Sequence, residues 1–476
     1  MDKRKSIRKV FIIAFIVYAA FAVSYYFLSG DQLRYREARD NIDILEADSV
    51  TPEITRGVTA SQDFVNTVDN IEEIALVFTK WYRGAEGSIA VDLYDGNKLL
   101  FRQMLDINKD ISEQHRVYIR PEHALKDLKG KTLTLKIYDN AKVNEGVSLM
   151  MNKASAPAGS FVKVGNERIP GTLCFSVTGT EKIAISQYYW FIMGGLGLML
   201  ALLFLISYRN YTKGYSNYLV AAILAVYRYS FLISQLVIRD FKSKYKRSIL
   251  GVFWSFLNPL LTMTVQFLVF STFFKADTLN YPVYLLSGVV CFSFFSECTT
   301  MCLTSISGNS RLITKVYIPK YIFPLARTIS SSINLGISLV PLFLAALVLG
   351  IAIRPQAILF FYFLACLILF SLGVGLFLSA LMVFFRDIQF LWTVLTQIWM
   401  YATPIFYPAE IIPEKYRFVV RLNPLYHFIG NARTCLIDGI SPEPHAYIFC
   451  LLFALISIIV GAFTFKKTQD KFALYL

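Results

Sequence analysis

The chain has 476 residues, 55% hydrophobic and 15% aromatic, with only 17% charged residues and a mean hydropathy of +0.50; an ordinary soluble domain carries about 25% charged residues. This excludes a plain soluble globule, because the apolar residues fall in runs of about 20, the length at which a helix crosses hydrocarbon with its own backbone satisfied. The formal charge of +14 suggests nucleic acid, but residues 31–187 hold 20 Lys/Arg against 23 Asp/Glu and the remainder 27 against 10, so the excess lies between apolar runs and no nucleic-acid partner is expected.

Eight runs are expected to span: 10–28, 188–206, 251–274, 283–305, 322–353, 357–385, 388–406 and 447–465. The run 357–385 has no charge in 29 residues and 251–274 none in 24. The run 388–406 is the weakest, since Pro404 breaks its end. With both termini inside, the inner segments hold 21 Lys/Arg, counting Arg327 at a helix mouth, and the short outer loops 6. This follows the positive-inside rule and predicts a multi-pass protein of the cytoplasmic membrane with residues 29–187 outside. The first run is too long for a signal peptide and has no small-x-small site before Asp31, so it reads as an uncleaved anchor.

Residues 29–187 are long enough for their own core. Alternation in 88–94 (Ile89, Val91, Leu93) and 132–138 (Leu133, Leu135, Ile137) predicts strands, with Asp95-Gly96-Asn97 as a hairpin turn before 98–103. Further strands are expected at 116–119, 148–151 and 173–178. The fold class is thus a polytopic α-helical membrane protein of about eight spans with an inserted extracytoplasmic β-sandwich. Of seven cysteines only Cys174 lies in this domain, so no internal disulfide is expected. Cys298 and Cys302, one turn apart without a nearby His or Asp, read as core packing rather than a metal site. Gly130-Lys131-Thr132 resembles the end of a phosphate-binding loop, but the required earlier glycine is Leu125. No cofactor or metal is therefore expected in the chain, and any ATP-driven work falls to a partner.

The domains are expected as 1–28 (tail and first span), 29–187 (β-domain), 188–207 (second span), 208–250 (cytoplasmic interface region) and 251–476 (a six-span core). In 208–250, a ninth span would place the basic cluster 239–247 outside and invert every later loop. A helix in the cytoplasmic interface fits better, with Leu232, Leu236 and Ile238 dipping into lipid.

From Val226 onward the chain resembles the ABC-2 permeases that export polysaccharides and teichoic acids. The resemblance rests on three ordered blocks. The first is the stretch 239–251, beginning Arg239-Asp240-Phe241-Lys242, with Trp254 and Leu257-Asn258-Pro259-Leu260. The second comprises Asn309, Arg311-Leu312-Ile313, Lys315-Val316-Tyr317-Ile318-Pro319 and Ile322-Phe323-Pro324-Leu325. The third comprises Arg386-Asp387-Ile388, Thr403-Pro404-Ile405-Phe406-Tyr407-Pro408, Asn423-Pro424 and Arg433. The family has six spans and no outer domain, so the first 225 residues depart from it. The resemblance implies a homodimer, two copies of a separate ABC ATPase carrying ATP and Mg, a coupling helix within 306–321 (Asn309, Arg311, Leu312, Lys315, Val316, Pro319), and an outer re-entrant gate over 407–437 with Thr403, Pro404, Tyr407, Pro408, Asn423 and Pro424.

Such a permease would move a lipid-linked glycan. Its diphosphate needs Arg and Lys donors, for which Arg239, Lys242, Lys244, Lys246 and Arg247 are candidates, beside the plainer reading of a lipid anchor. Its sugars need aromatic faces, with Trp254, Phe292, Phe295, Trp399 and Tyr401 as channel-lining candidates. Glu297, an acid within a span, either joins that path or pairs with Arg327. Trp81, Tyr82 and Tyr94 are the sugar candidates of the outer domain. Two alternatives stay open: a glycan-modifying membrane enzyme, though 407–446 shows no paired-acid constellation, and a small-molecule or drug exporter on the same scaffold.

Overall fold

The computed structural model describes the chain except residues 1–2, 45–46, 81–86, 112–115, 140–145, 155, 157–158, 214–219, 221–223, 225, 247–248, 275–279, 317 and 476. It divides into two compact units: Leu33–Tyr188, and Met1–Gln32 together with Tyr189–Leu476.

The first unit is built from strands β1 (Tyr35–Ile44), β2 (Ser49–Val50), β3 (Thr59–Val65), β4 (Asn70–Thr79), β5 (Ser88–Asp95), β6 (Lys98–Asp106), β7 (Arg116–Ile119), β8 (Thr132–Asp139), β9 (Ser148–Asn152), β10 (Phe161–Val164), β11 (Glu167–Pro170), β12 (Thr172–Leu173) and β13 (Phe175–Lys182). One sheet runs β1-β13-β4-β9-β12, with β2 on β9 and β7 on β4; the other runs β11-β10-β3-β8-β5-β6. Both are antiparallel and share one apolar core, in which Ile89, Val91, Leu93, Leu133, Leu135 and Ile137 meet Ile74, Leu76 and Val177. The period-2 alternation of β8 thus fills the inter-sheet space. Phe64 and Phe175 meet edge to face, with centroids 5.2 Å apart. The expected hairpin is present: Asp95 pairs with Lys98 across Gly96-Asn97, and Gly96 takes φ 59°.

The second unit is helical. Its helices are α1 (Lys3–Leu28), α2 (Ala184–Thr212), α3 (Ser230–Tyr245), α4 (Phe253–Phe274), α5 (Tyr281–Leu303), α6 (Ser310–Lys315), α7 (Ile322–Val348), α8 (Phe360–Phe384), α9 (Ile388–Ala402), α10 (Glu414–Arg421), α11 (Pro424–Arg433) and α12 (Pro444–Thr468). Among the described residues, seven helices are long and apolar enough to cross a membrane, against the eight runs of the sequence. The eighth run yields only α9, of 15 residues, or about 22 Å, short of the roughly 30 Å hydrocarbon core. The chain leaves the helix at Thr403, before Pro404, as the sequence break implies.

The helices α8 and α12 pack without side chains between them at one point. A Cβ at Gly461 would overlap the carbonyl of Gly373, and one at Gly373 would overlap the backbone of Ser457. Small residues here permit the close approach that holds helices together in lipid. Helices α1 and α2 join this unit through Tyr189, whose hydroxyl donates to the Ala22 carbonyl at 2.6 Å. Phe21 stacks on Tyr362 of α8 at 4.8 Å.

Two outcomes follow. Gly461→Val should lower the melting temperature of the detergent-purified protein, at a cost of about 1–3 kcal/mol or more for overpacking, whereas Gly336→Ala, which meets open space, should not. In the β-unit, Cys174 is fully buried and burial pushes its thiol up to about 11. A fragment of residues 31–185 should therefore resist maleimide at pH 7.5 and label rapidly once denatured. Equal labelling rates would contradict the core described.

Candidate functional site

A densely bonded stretch of irregular backbone lies where α9 ends. From Pro404 to Tyr407 the chain is not helical, so its carbonyls lack intrahelical donors. Arg433, at the end of α11, is buried. Its Nη1 donates to the Pro404 carbonyl at 2.8 Å, and its Nη2 to Ile405 at 3.0 Å and to the Tyr284 carbonyl of α5 at 3.0 Å. Its Nε donates to Ser287 Oγ at 3.2 Å, and the guanidinium lies 3.5 Å from the centroid of the Tyr284 ring. Tyrosine hydroxyls serve the remaining carbonyls: Tyr281 donates to Phe406 at 2.6 Å, and Tyr284 to Tyr407 at 2.9 Å. Gly288 makes the space, since a Cβ there would overlap Arg433 Nη2. A guanidinium suits this role because it is donor-only, planar and permanently charged.

Asn423 ties the other side of the break. Its Oδ1 caps α11 through Leu425 N at 3.0 Å and accepts from Trp399 Nε1 at 2.8 Å. Its Nδ2 donates to Thr403 Oγ1 at 2.8 Å. The expected gate residues Thr403, Pro404, Tyr407 and Asn423 are thus brought into one bonded cluster. Arg433 stood among the motif residues without a role, Tyr284 and Gly288 carried no signal beyond their place in the expected span 283–305, and Tyr281 lies just before it. Helix α11 buries Leu425, Phe428, Ile429 and Ala432, while α10 exposes Tyr416, Phe418 and Val419.

The channel-lining candidates separate. Phe292 and Phe295 are buried; Phe295 meets Trp399, Trp392 and Phe370 at centroid distances of 5.2, 6.2 and 5.9 Å. Their faces are filled by neighbours, which corrects the expectation that they line a path. Trp254 and Tyr401 are exposed and Trp399 half-buried.

A second constellation joins α3, the 306–321 segment and α7. Asp240 is buried and pairs with Arg327 of α7 at 2.9 Å and with Arg239 at 3.1 Å. Arg239 also donates to Asn309 Oδ1 at 3.0 Å, and Asn309 Nδ2 donates to the Ser305 carbonyl at 2.7 Å. Lys244 reaches Glu297 at 2.9 Å, and Glu297 also accepts from Asn334 at 2.7 Å. Glu297 therefore pairs with Lys244 rather than with Arg327, the partner named in one of the two alternatives the sequence left open. Helix α3 also differs: Leu236 is buried, packed with Ile233 and Val237 against Ile306, Ile322 and Phe323, and Leu232 packs beside them. Only Ile238 of the three expected lipid contacts is exposed. Arg239 and Lys244 are engaged by protein, leaving Lys242 and Lys246 as exposed cations; Arg247 lies outside the described residues.

In the expected coupling segment, Arg311, Lys315 and Val316 are exposed and Pro319 half-buried. Asn309 is buried and Leu312 packs partly inward on the same cluster, so neither offers a free contact surface. In the β-unit, Trp81 and Tyr82 lie outside the described residues. Tyr94 is half-buried: its hydroxyl donates to Asp92 at 3.1 Å and Lys136 Nζ lies 4.5 Å from its ring centroid. Asp92 is clamped by Arg102 at 2.7 and 2.6 Å, so Tyr94 belongs to a structural ion pair rather than an open sugar platform. Cys298 and Cys302 are buried, both sulfurs beside Thr328 Oγ1.

Residues 231–437 match the ABC-2 type transporter family. The chain is 28% identical over 252 residues to an O-antigen export system permease of Klebsiella pneumoniae, covering 52% of this chain and 96% of that one. It is 27% identical over 261 residues to the O-antigen export system permease of Myxococcus xanthus (54% and 99%). It is 21% identical over 244 residues to a polysialic acid transport protein of Escherichia coli (50% and 93%).

Arg433→Gln should leave several buried carbonyls without donors, at about 1–3 kcal/mol each. Gly288→Ala should disturb the same contact from the other side. The double variant should be little worse than either single one, a non-additivity expected for groups in contact and read from melting temperatures in detergent. Additive losses would show that the two act separately.

Proposed function

We propose, from the match of residues 231–437 to the ABC-2 type transporter family, that the chain is the membrane subunit of an ATP-driven exporter that moves a lipid-linked polysaccharide or teichoic-acid-like glycan across the cytoplasmic membrane. The observation that carries this reading is the match to O-antigen export system permeases and a polysialic acid transport protein over 93–99% of their length. It works as a homodimer with two copies of a separate ATPase, which supplies the ATP and Mg sites. The chain itself is not an enzyme.

The fold supports a specific division of labour. Helix α9 and the irregular residues 403–407 that follow it together make the eighth crossing, the chain turning at Pro404 rather than continuing as helix. Both termini are then cytoplasmic and residues 29–187 lie outside, in keeping with the distribution of Lys and Arg. Helices α10 and α11 form the re-entrant outer gate, stable in lipid because Arg433, Tyr281 and Tyr284 satisfy the broken backbone. On the cytoplasmic side, Lys242 and Lys246 meet the cargo diphosphate, while Asp240 with Arg239 and Arg327 links α3 to the coupling segment and α7. The exposed face of Arg311, Lys315 and Val316 docks the ATPase. Trp254, Trp399 and Tyr401 remain the aromatic candidates for the glycan path. The outer domain receives the emerging glycan, through Trp81 and Tyr82.

Val316→Asp places a charge in the proposed ATPase contact without touching the internal cluster. It should reduce co-purification of a co-expressed ABC ATPase about tenfold, equivalent to about 1.4 kcal/mol, and abolish ATPase stimulation by lipid-linked glycan in proteoliposomes. Unchanged retention and stimulation would remove this segment as the dock. Wild-type complex indifferent to glycan would remove the cargo assignment.

A further inference from the structure

Two adjoining hollows flank α12 and are not used by the transport reading. The first is a cavity of about 740 Å³ lined by Arg421 of α10, Tyr426, His427 and Asn431 of α11, and His445 and Phe449 of α12, among others. Its volume is in the range of small-molecule sites. Arg421 has no hydrogen-bond or ion-pair partner for its guanidinium among the described residues, and its carbonyl lies 2.7 Å from His427 Nε2. Glu443, two residues before His445, is paired with it at 2.9 Å. The second hollow is a groove of about 260 Å³ between α8 and α12, walled by Phe370, Gly373, Phe377, Ile456 and Val460. Phe453 lines both. On α12 the positions 445, 449, 453, 456 and 460 recur at helical spacing, so one face carries a basic head followed by an apolar strip. From His445 to Val460 this face rises about 22 Å, comparable with a long acyl chain.

We propose that these two hollows form one site for an anionic phospholipid of the bilayer, with its phosphate against Arg421 and His427 and one acyl chain in the groove over Gly373. The charge of the head region is complementary to a phosphate, and Arg recognises phosphate through paired donors. The groove excludes polar ligands. Phe449 and Val460 are exposed along the same face, so a lipid enters sideways from the membrane and the abundant bilayer phospholipid fills the site by mass action. Bound there, the headgroup bridges α11 to α12 and holds the α10–α11 hairpin in place. The inference does not depend on which glycan is carried.

The test is native mass spectrometry on the intact detergent-purified chain, titrated with phosphatidylglycerol, with diacylglycerol of the same chains, and with inorganic phosphate. Phosphatidylglycerol should be retained and the other two should not displace it. Arg421→Gln, an exposed side chain, and Val460→Trp, which fills the groove, should each weaken retention about tenfold, with unchanged gel-filtration profiles. If Val460→Trp fails to fold, Arg421→Gln alone carries the comparison. Equal retention of diacylglycerol, displacement by phosphate alone, or wild-type retention by Arg421→Gln overturns the site. Displacement by polyprenyl phosphate at equal concentration overturns the phospholipid as its occupant. Efficient cross-linking of two copies through Phe449→Cys overturns it in favour of an interface between chains.

Discussion

Backbone that leaves the helical path inside an apolar bundle loses its internal donors, and the loss must be made good by side chains. Between Pro404 and Tyr407 that task falls to Arg433, Tyr281 and Tyr284. The same guanidinium bonds the end of α11 to α5, so breaking α9, placing the α10–α11 hairpin and shaping the start of α5 are one problem with one solution. Gly288 is part of it, because any larger residue would displace the guanidinium. The two arms of the hairpin differ in burial: α11 packs inward, while α10 turns Tyr416, Phe418 and Val419 outward.

At the α3 junction the logic is electrostatic. Asp240 is a buried acid held by two arginines, one from its own helix and one from α7, and removing any partner would leave an uncompensated charge. Asn309 brings the 306–321 segment into this group, so that segment is tied to α3 and α7 through bonds rather than through loose packing alone.

Much of this organisation was legible in the sequence. Long uncharged runs can only be spans, and the alternation of β5 and β8 survives because one face is core and the other is not. Strand β1 (Tyr35–Ile44) escaped because its charges hide the period, and β4 because it is buried on nearly every residue. The weak eighth run was correctly marked at Pro404, yet its carbonyl partners were invisible, since a carbonyl has no residue-type signature. Glu297 was recognised as needing a partner, but choosing Lys244 over Arg327 requires knowing how α3 docks. Leu236 was assigned to lipid on amphipathicity alone, which cannot distinguish a membrane surface from the apolar face of Phe323 and Ile322.

The central claim is that this chain carries a polysaccharide across the membrane. The direct measurement is the location of the glycan in cells depleted of the chain, by surface labelling against total extractable polymer. The account predicts loss of surface glycan with polymer accumulating inside, restored by the wild-type chain and not by Arg433→Gln. Surface glycan at normal levels in depleted cells, with no internal accumulation, would contradict it.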